Sequence, residues 1–139
     1  MMTNLLYRWD PLNKTNYHVY IDGHPHLALL LRLKNKRLIA GYSVGPIVEN
    51  TSTTEGGLIL SLTAQKSFEL LPGKKSVSYD TFFLIFGNSE LRLKHADTTF
   101  FTNFGIANSF YNHRGEKHTV LTGGEPNCRE EVIETYEVF

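Results

Sequence analysis

Short apolar segments separated by turn-forming residues restrict the folds open to this chain more than any other feature. The clearest pair is Leu27–Leu33 and Leu38–Val44, which are joined by the polar stretch Lys34–Arg37. Two apolar runs around a short polar connection are typical of a β-hairpin. The longest uninterrupted apolar run, Leu27–Leu31, is far too short to cross a membrane. The sequence therefore predicts antiparallel β-structure.

The same pattern of apolar runs and turns continues along the chain. Further predicted strands are Leu58–Leu62, Ser67–Leu71, Thr81–Phe86, Glu90–Lys94, Thr119–Thr122 and Glu130–Phe139. One short helix is predicted over Thr15–Gly23, because Thr15 can cap it and Gly23 can end it. Gly45–Gly57 is rich in loop-forming residues, and Asp97–Tyr111 predicts irregular structure folded onto the core.

These elements define the predicted fold class. The chain is mainly β (α+β), with two antiparallel sheets packed as a sandwich and one or two short flanking helices. A length of 139 residues fits one domain, so residues 1–139 are assigned to a single unit.

Charge and cysteine content exclude several functional classes. Lys plus Arg and Asp plus Glu number 14 each, so the basic excess of a general nucleic-acid binder is absent. The single cysteine, Cys128, has no disulfide partner within the chain and favours a reducing, intracellular and cytoplasmic compartment.

Candidate chemical groups are few. His24 and His26 lie two residues apart, but a metal site needs three or four ligands. Cys128 next to Arg129 is a candidate reactive thiol for a redox-active enzyme, although the neighbouring glutamates oppose thiolate formation. No nucleophile elbow or phosphate loop occurs, so we predict no catalytic residue, no metal and no cofactor.

Charged turns and loops are the candidate partner-binding regions. They are the tip of the predicted hairpin, the Glu49–Glu55 loop and the Asn112–Lys117 turn. The residues they contribute are Lys34, Lys36, Arg37, Glu49, Glu55, Arg114 and Lys117. A charged hairpin tip serves either solubility or docking. The acidic residues after position 129 predict a solvated or partner-facing strand edge.

Several segments resemble motifs of one family, in its order. Leu5–Arg8 is similar to an opening Leu-Leu-Tyr-Arg motif, Gly41–Ser43 to a Gly-Tyr-Thr-Ser step, and Glu130–Phe139 to a closing strand. Weaker similarities lie in Asn16–Gly23, Leu27–Leu31, Gly57–Leu62, Phe86–Asn88, Leu91–Leu93 and Thr122–Pro126. Together they resemble the TLDc domain of oxidation-resistance proteins, whose fold is a sandwich of two antiparallel sheets.

The resemblance implies a non-catalytic protein-binding module. TLDc proteins are linked to protection from oxidative stress and to binding of the vacuolar-type proton-pumping ATPase. The chain is therefore expected to bind or regulate a large intracellular complex such as that pump, at the cytoplasmic face of an organelle. The alternative is a structural subunit of a ciliary, microtubule or other cytoskeletal assembly. A redox enzyme using Cys128 ranks below both.

Overall fold

The computed structural model describes residues 2–9, 17–48, 50–79, 83–87, 91–94, 121, 123 and 130–139. Within these residues the chain forms one helix, α1 (Tyr17–Ile21), and ten strands. The strands are β1 (Thr3–Arg8), β2 (Leu27–Leu33), β3 (Leu38–Ser43), β4 (Thr51–Thr53), β5 (Gly57–Ser61), β6 (Lys66–Glu69), β7 (Val77–Tyr79), β8 (Phe83–Phe86), β9 (Leu91–Lys94) and β10 (Glu130–Val138).

Two antiparallel sheets contain these strands. The larger sheet has the order β1-β10-β2-β3-β5-β6, and the smaller has the order β4-β7-β8-β9. β10 therefore lies inside the larger sheet, where it pairs with β1 on one side and β2 on the other. β1 and β6 are the two edge strands of that sheet.

The core lies on one face of the larger sheet. In β2, Leu27, Leu29, Leu31 and Leu33 are all buried, whereas the residues between them are at least partly exposed. This alternation follows from the two-residue period of a strand. The same face continues through Ile133 of β10, Ile39 of β3 and Ile59 of β5, all fully buried.

The smaller sheet packs against this face at a glycine. The Phe86 ring of β8 lies so close to Gly41 of β3 that a Cβ atom there would stand 2.7 Å from the Phe86 Cζ atom. Phe86 is 1% exposed, so its ring fills the space that any larger residue at position 41 would need. The contact explains why β3 has a glycine in its buried row.

Helix α1 closes the β1 side of the core. Its last residue, Ile21, is fully buried, and the Tyr20 ring lies 5.8 Å from the Tyr7 ring of β1. The chain then turns through Gly23, which has a φ of +82° and donates its N–H to the Ile47 carbonyl at 2.8 Å. The predicted ending of the helix at this glycine is confirmed.

The predicted fold class is confirmed, and β2 has the predicted bounds. Three strands were not predicted: β1, β7, and β4 within the Gly45–Gly57 loop. β4 forms because Thr51–Thr53 pairs with β7. Asp97–Tyr111 lies outside the described residues. Of the predicted strand Thr119–Thr122, Leu121 is described, and it lies in a 3₁₀ turn with its side chain buried.

Candidate protein-interaction edge

β1 forms an edge of the larger sheet, and its residues Thr3–Tyr7 contain neither a charge nor a proline. Thr3, Asn4 and Leu5 are exposed, and Leu5 keeps 48% of its surface accessible. Within the described part of the chain, no strand pairs with β1 on the side away from β10. Natural edge strands are usually blunted by charges, prolines or a very short length. Of the six residues of β1, Arg8 alone is charged, and it stands at the strand end.

The hydrogen-bond pattern fixes which backbone groups face outward. Met2 and Phe139 exchange backbone hydrogen bonds of 3.4 and 2.8 Å, so this pair is of the hydrogen-bonded type. Pairs alternate along an antiparallel ladder, so the Thr3–Val138 and Leu5–Tyr136 pairs are of the other type. The N–H of Val138 accordingly points away from β1 and donates to the His26 carbonyl at 2.9 Å. The N–H and C=O groups of Thr3 and Leu5 therefore face away from the sheet.

A β-bulge ends this regular edge. The register of β1 against β10 shifts between Leu5 and Tyr7, so Leu6 is an extra residue in β1. Leu6 packs against the core, and Tyr7 is buried. After the bulge the ladder resumes, with the Trp9 N–H donating to the Ile133 carbonyl at 2.9 Å. A bulge increases local twist, so the straight part of the edge is limited to residues 2–5.

Exposed apolar side chains surround this edge. Met2 is 71% exposed, Phe139 66% and Leu5 48%, and they lie on or next to the first strand pair of the sheet. Isolated exposed apolar residues are common on protein surfaces, but a group of them beside open backbone groups is typical of an interaction site. We call residues 2–5 together with Phe139 the β1 edge.

The hairpin tip, predicted as a partner-binding region, makes several contacts within the chain. Lys36 has a φ of +72° in the β2–β3 turn, and its Nζ atom donates to both Glu131 carboxylate oxygens at 2.8 Å. Arg37 donates from Nε to the Leu121 carbonyl at 3.3 Å and packs against Gly123. Lys34 is exposed. Their proposed role in binding a partner stays a prediction.

Two acidic residues of β10, Glu131 and Glu134, form ion pairs with arginine or lysine side chains, and a third, Glu137, contacts a histidine. Arg32 Nε donates to Glu131 at 3.1 Å, Arg8 Nε lies 3.7 Å from Glu134, and His24 Nδ1 lies 2.5 Å from Glu137. The hydrogen bond from Lys36 lowers the pKa of Glu131 below its usual value. The prediction that these glutamates mark a strand edge is wrong, because β1 covers the open side of β10.

The two histidines have separate partners. His24 contacts Glu137, whereas His26 Nδ1 lies 3.0 Å from the Tyr42 hydroxyl and its ring stacks on the Tyr42 ring. The described residues include no group of three His, Cys, Asp or Glu side chains arranged to hold a metal ion. Cys128 lies outside the described residues.

The other predicted binding residues divide between described and undescribed positions. Glu55 is exposed, and its backbone N–H donates to the Thr53 hydroxyl at 3.1 Å. Glu49, Arg114 and Lys117 lie outside the described residues. A depression beside β4 and β7, lined by Pro46, Ile47 and Tyr79 among others, is too shallow to enclose even a water molecule.

Comparisons with known proteins add no family assignment. A scan against protein-family models and a search of curated proteins find no match to this chain. The resemblance to TLDc domains therefore stays a prediction. None of the helices in the described residues has the length and hydrophobicity needed to cross a membrane.

Proposed function

We propose that this chain is a non-catalytic protein-binding module that contacts its partner through the β1 edge. The observation that carries the proposal is the uncharged, exposed backbone edge at Thr3 and Leu5 beside three exposed apolar side chains. Such an edge can accept an extended segment as an additional strand, whose backbone supplies the hydrogen bonds. The side chains of Met2, Leu5 and Phe139 then gain apolar contacts with the added strand.

Two partner classes follow from the resemblance to TLDc domains. The first is a peripheral subunit of the vacuolar-type proton pump, with a role in resistance to oxidative stress. The second is a cytoskeletal or ciliary scaffold in which this chain is a structural subunit. Both place the chain at an intracellular assembly, and in both the β1 edge would supply the contact.

The test is purification of the tagged chain from its native cells, with cross-linking and mass spectrometry. The tag belongs in the exposed turn at residues 72–75, because Met2 and Phe139 both lie at the β1 edge. The test variant is Leu5→Lys. The matched control is Leu62→Lys, because Leu62 is 45% exposed and lies directly after β5, away from β1.

We expect the wild-type chain and Leu62→Lys to recover the same partner and Leu5→Lys to lose it. Leu5-dependent recovery of proton-pump subunits supports the regulatory role, and Leu5-dependent recovery of tubulin or another scaffold supports the structural role. Equal recovery by all three chains contradicts binding through the β1 edge. Cross-links from Lys34 or Lys36 to the partner test the contribution of the hairpin tip.

A further inference from the structure

We infer that the β1 edge is self-complementary and joins two copies of this chain through an antiparallel β1–β1 pair. The inference rests on the open edge used in the proposed function, but it names a different occupant, a second copy. Two-fold pairing of identical strands is the simplest closed association of an edge strand. Such pairing would join the two six-stranded sheets edge to edge.

The backbone pattern defines the register of the pair. Thr3 and Leu5 present outward N–H and C=O groups on either side of Asn4, whose own groups face β10. In a two-fold symmetric pair centred on Asn4, Thr3 of one copy lies opposite Leu5 of the other. Leu5 of the first copy likewise lies opposite Thr3 of the second. Each Thr3–Leu5 pair exchanges two backbone hydrogen bonds, so the two pairs form four hydrogen bonds and use every outward N–H and C=O group of these residues.

The side chains fit the same register. Thr3 and Leu5 lie on the sheet face of Tyr136 and Val138, because they pair directly with those residues. Each Leu5 then faces a Thr3 methyl group across the new ladder. On the other face, the 71% exposed Met2 of one copy lies opposite the start of the bulge at Leu6 of the other.

The charges also favour this pairing. Residues 2–6 are uncharged, so no like charges oppose one another along the ladder. Arg8, the one charged residue of β1, lies beyond the bulge and pairs with Glu134 of its own chain. A foreign strand can supply the same hydrogen bonds, but β1 itself matches the spacing, the polarity and the absence of charge.

Site-specific disulfide formation tests the register. In a Cys128→Ser background, Asn4→Cys places two thiols on the two-fold axis, where facing residues of a non-hydrogen-bonded pair have Cα atoms about 4.5 Å apart. That separation suits a disulfide. Two Thr3→Cys residues would be roughly 8 Å apart, given a rise of about 3.4 Å per residue, which is too far.

We expect Asn4→Cys to form interchain disulfides at least about tenfold faster than Leu62→Cys, because pairing raises the local thiol concentration. Thr3→Cys alone should match the Leu62→Cys control, whereas a mixture of Thr3→Cys and Leu5→Cys chains should cross-link. Asn4→Cys reacting no faster than the control overturns the inference. If Thr3→Cys alone forms interchain disulfides faster than Leu62→Cys, the two strands do not pair in the register centred on Asn4.

Sedimentation across a range of concentrations gives a second readout without cysteines. The wild-type chain should show a concentration-dependent dimer, and Leu5→Lys should stay monomeric with an unchanged far-ultraviolet spectrum. A monomer at every concentration together with Leu5-dependent capture of another protein leaves the proposed function standing and removes this inference. A dimer, together with capture of another protein that does not depend on Leu5, supports this inference and removes the proposed binding of that protein through the β1 edge.

Discussion

The larger sheet ends in two edge strands, β1 and β6, whose backbones present the same geometry. On β1 the outward residues Thr3 and Leu5 flank Asn4. On β6 the alternation inherited from β5 places Ser67 and Glu69 outward, on either side of the buried Phe68. Before its bulge, β1 therefore offers two outward residues to a potential partner strand, as β6 does.

The two edges differ in charge and length. β6 is four residues long and has exposed Lys66 and Glu69 at its ends, whereas β1 has six residues and no charge before Arg8. Burying an ammonium or carboxylate group against another strand removes it from water, which opposes pairing. The charges at its ends therefore oppose pairing of another strand with β6, whereas no charge before Arg8 opposes pairing with β1.

The largest expected effect tests the core that holds both edges in one sheet. Phe86→Ala removes the ring that packs on Gly41, and we expect the free energy of unfolding to fall by about 3–5 kcal/mol. Urea denaturation measures this change. The control is Ile85→Ala on the same strand, where the side chain is half-buried and the loss should be clearly smaller. Equal losses would contradict the packing of the two sheets through Phe86.

The next prediction places the same charge on both edges. Leu5→Lys should weaken self-association by at least about tenfold, because the ammonium group must stay hydrated at the new ladder. Ser67→Lys, at the equivalent outward position of β6, should leave self-association unchanged. Sedimentation velocity compares the two variants. Equal weakening by both would remove the distinction between the edges.

Opening the blunted edge provides the converse test. Lys66→Thr combined with Glu69→Leu removes both charges from β6 and gives the sheet two open edges. A sheet with two open edges can join copies into linear oligomers rather than closed dimers. Light scattering should therefore show species larger than the dimer. If the double variant keeps the wild-type size distribution, charge is not what protects β6.

The smallest expected effect is on the melting temperature, through the ion pairs between β10 and the β2–β3 hairpin. The pKa of Glu131 is lowered in the folded chain, so its contribution to stability is present above the ordinary value of 4.5 and is lost as the pH falls through the lowered value. Glu131→Gln should therefore melt below the wild-type temperature at neutral pH, and the two melting temperatures should converge in acid.

Glu69→Gln on β6 is the matched control for this prediction. Salt should reduce the Glu131 effect, because about a third of the Glu131 side chain and most of the Lys36 side chain are accessible to solvent. A constant difference between wild type and Glu131→Gln across the whole pH range would mean that the ion pair does not cause it.

Local patterns were enough to predict most of the fold. β2 and β3 were recognised because an apolar run, a polar turn and a second apolar run fall within one short stretch. β7 was missed because Val77–Tyr79 is only three residues long. β1 was missed because the bulge at Leu6 places two leucines side by side and breaks the two-residue alternation.

The candidate site could not be predicted, because it depends on strand order. Whether a strand is an edge is set by pairing between distant residues, such as Thr3 with Val138. The glutamates of β10 have the composition of a solvated edge, yet their strand lies between two others. Their positive partners come from two distant parts of the sequence, Arg8 in β1 and Arg32 with Lys36 in the β2–β3 hairpin.

Residue-resolved amide hydrogen exchange tests the open β1 edge most directly. In dilute solution the outward amides of Thr3 and Leu5 should exchange rapidly, whereas the inward amide of Asn4 should be protected. Adding the partner, or raising the concentration of the chain, should protect Thr3 and Leu5 while the outward amides of Ser67 and Glu69 stay fast. Protection of Thr3 and Leu5 already in the dilute chain would contradict the open edge on which the account depends.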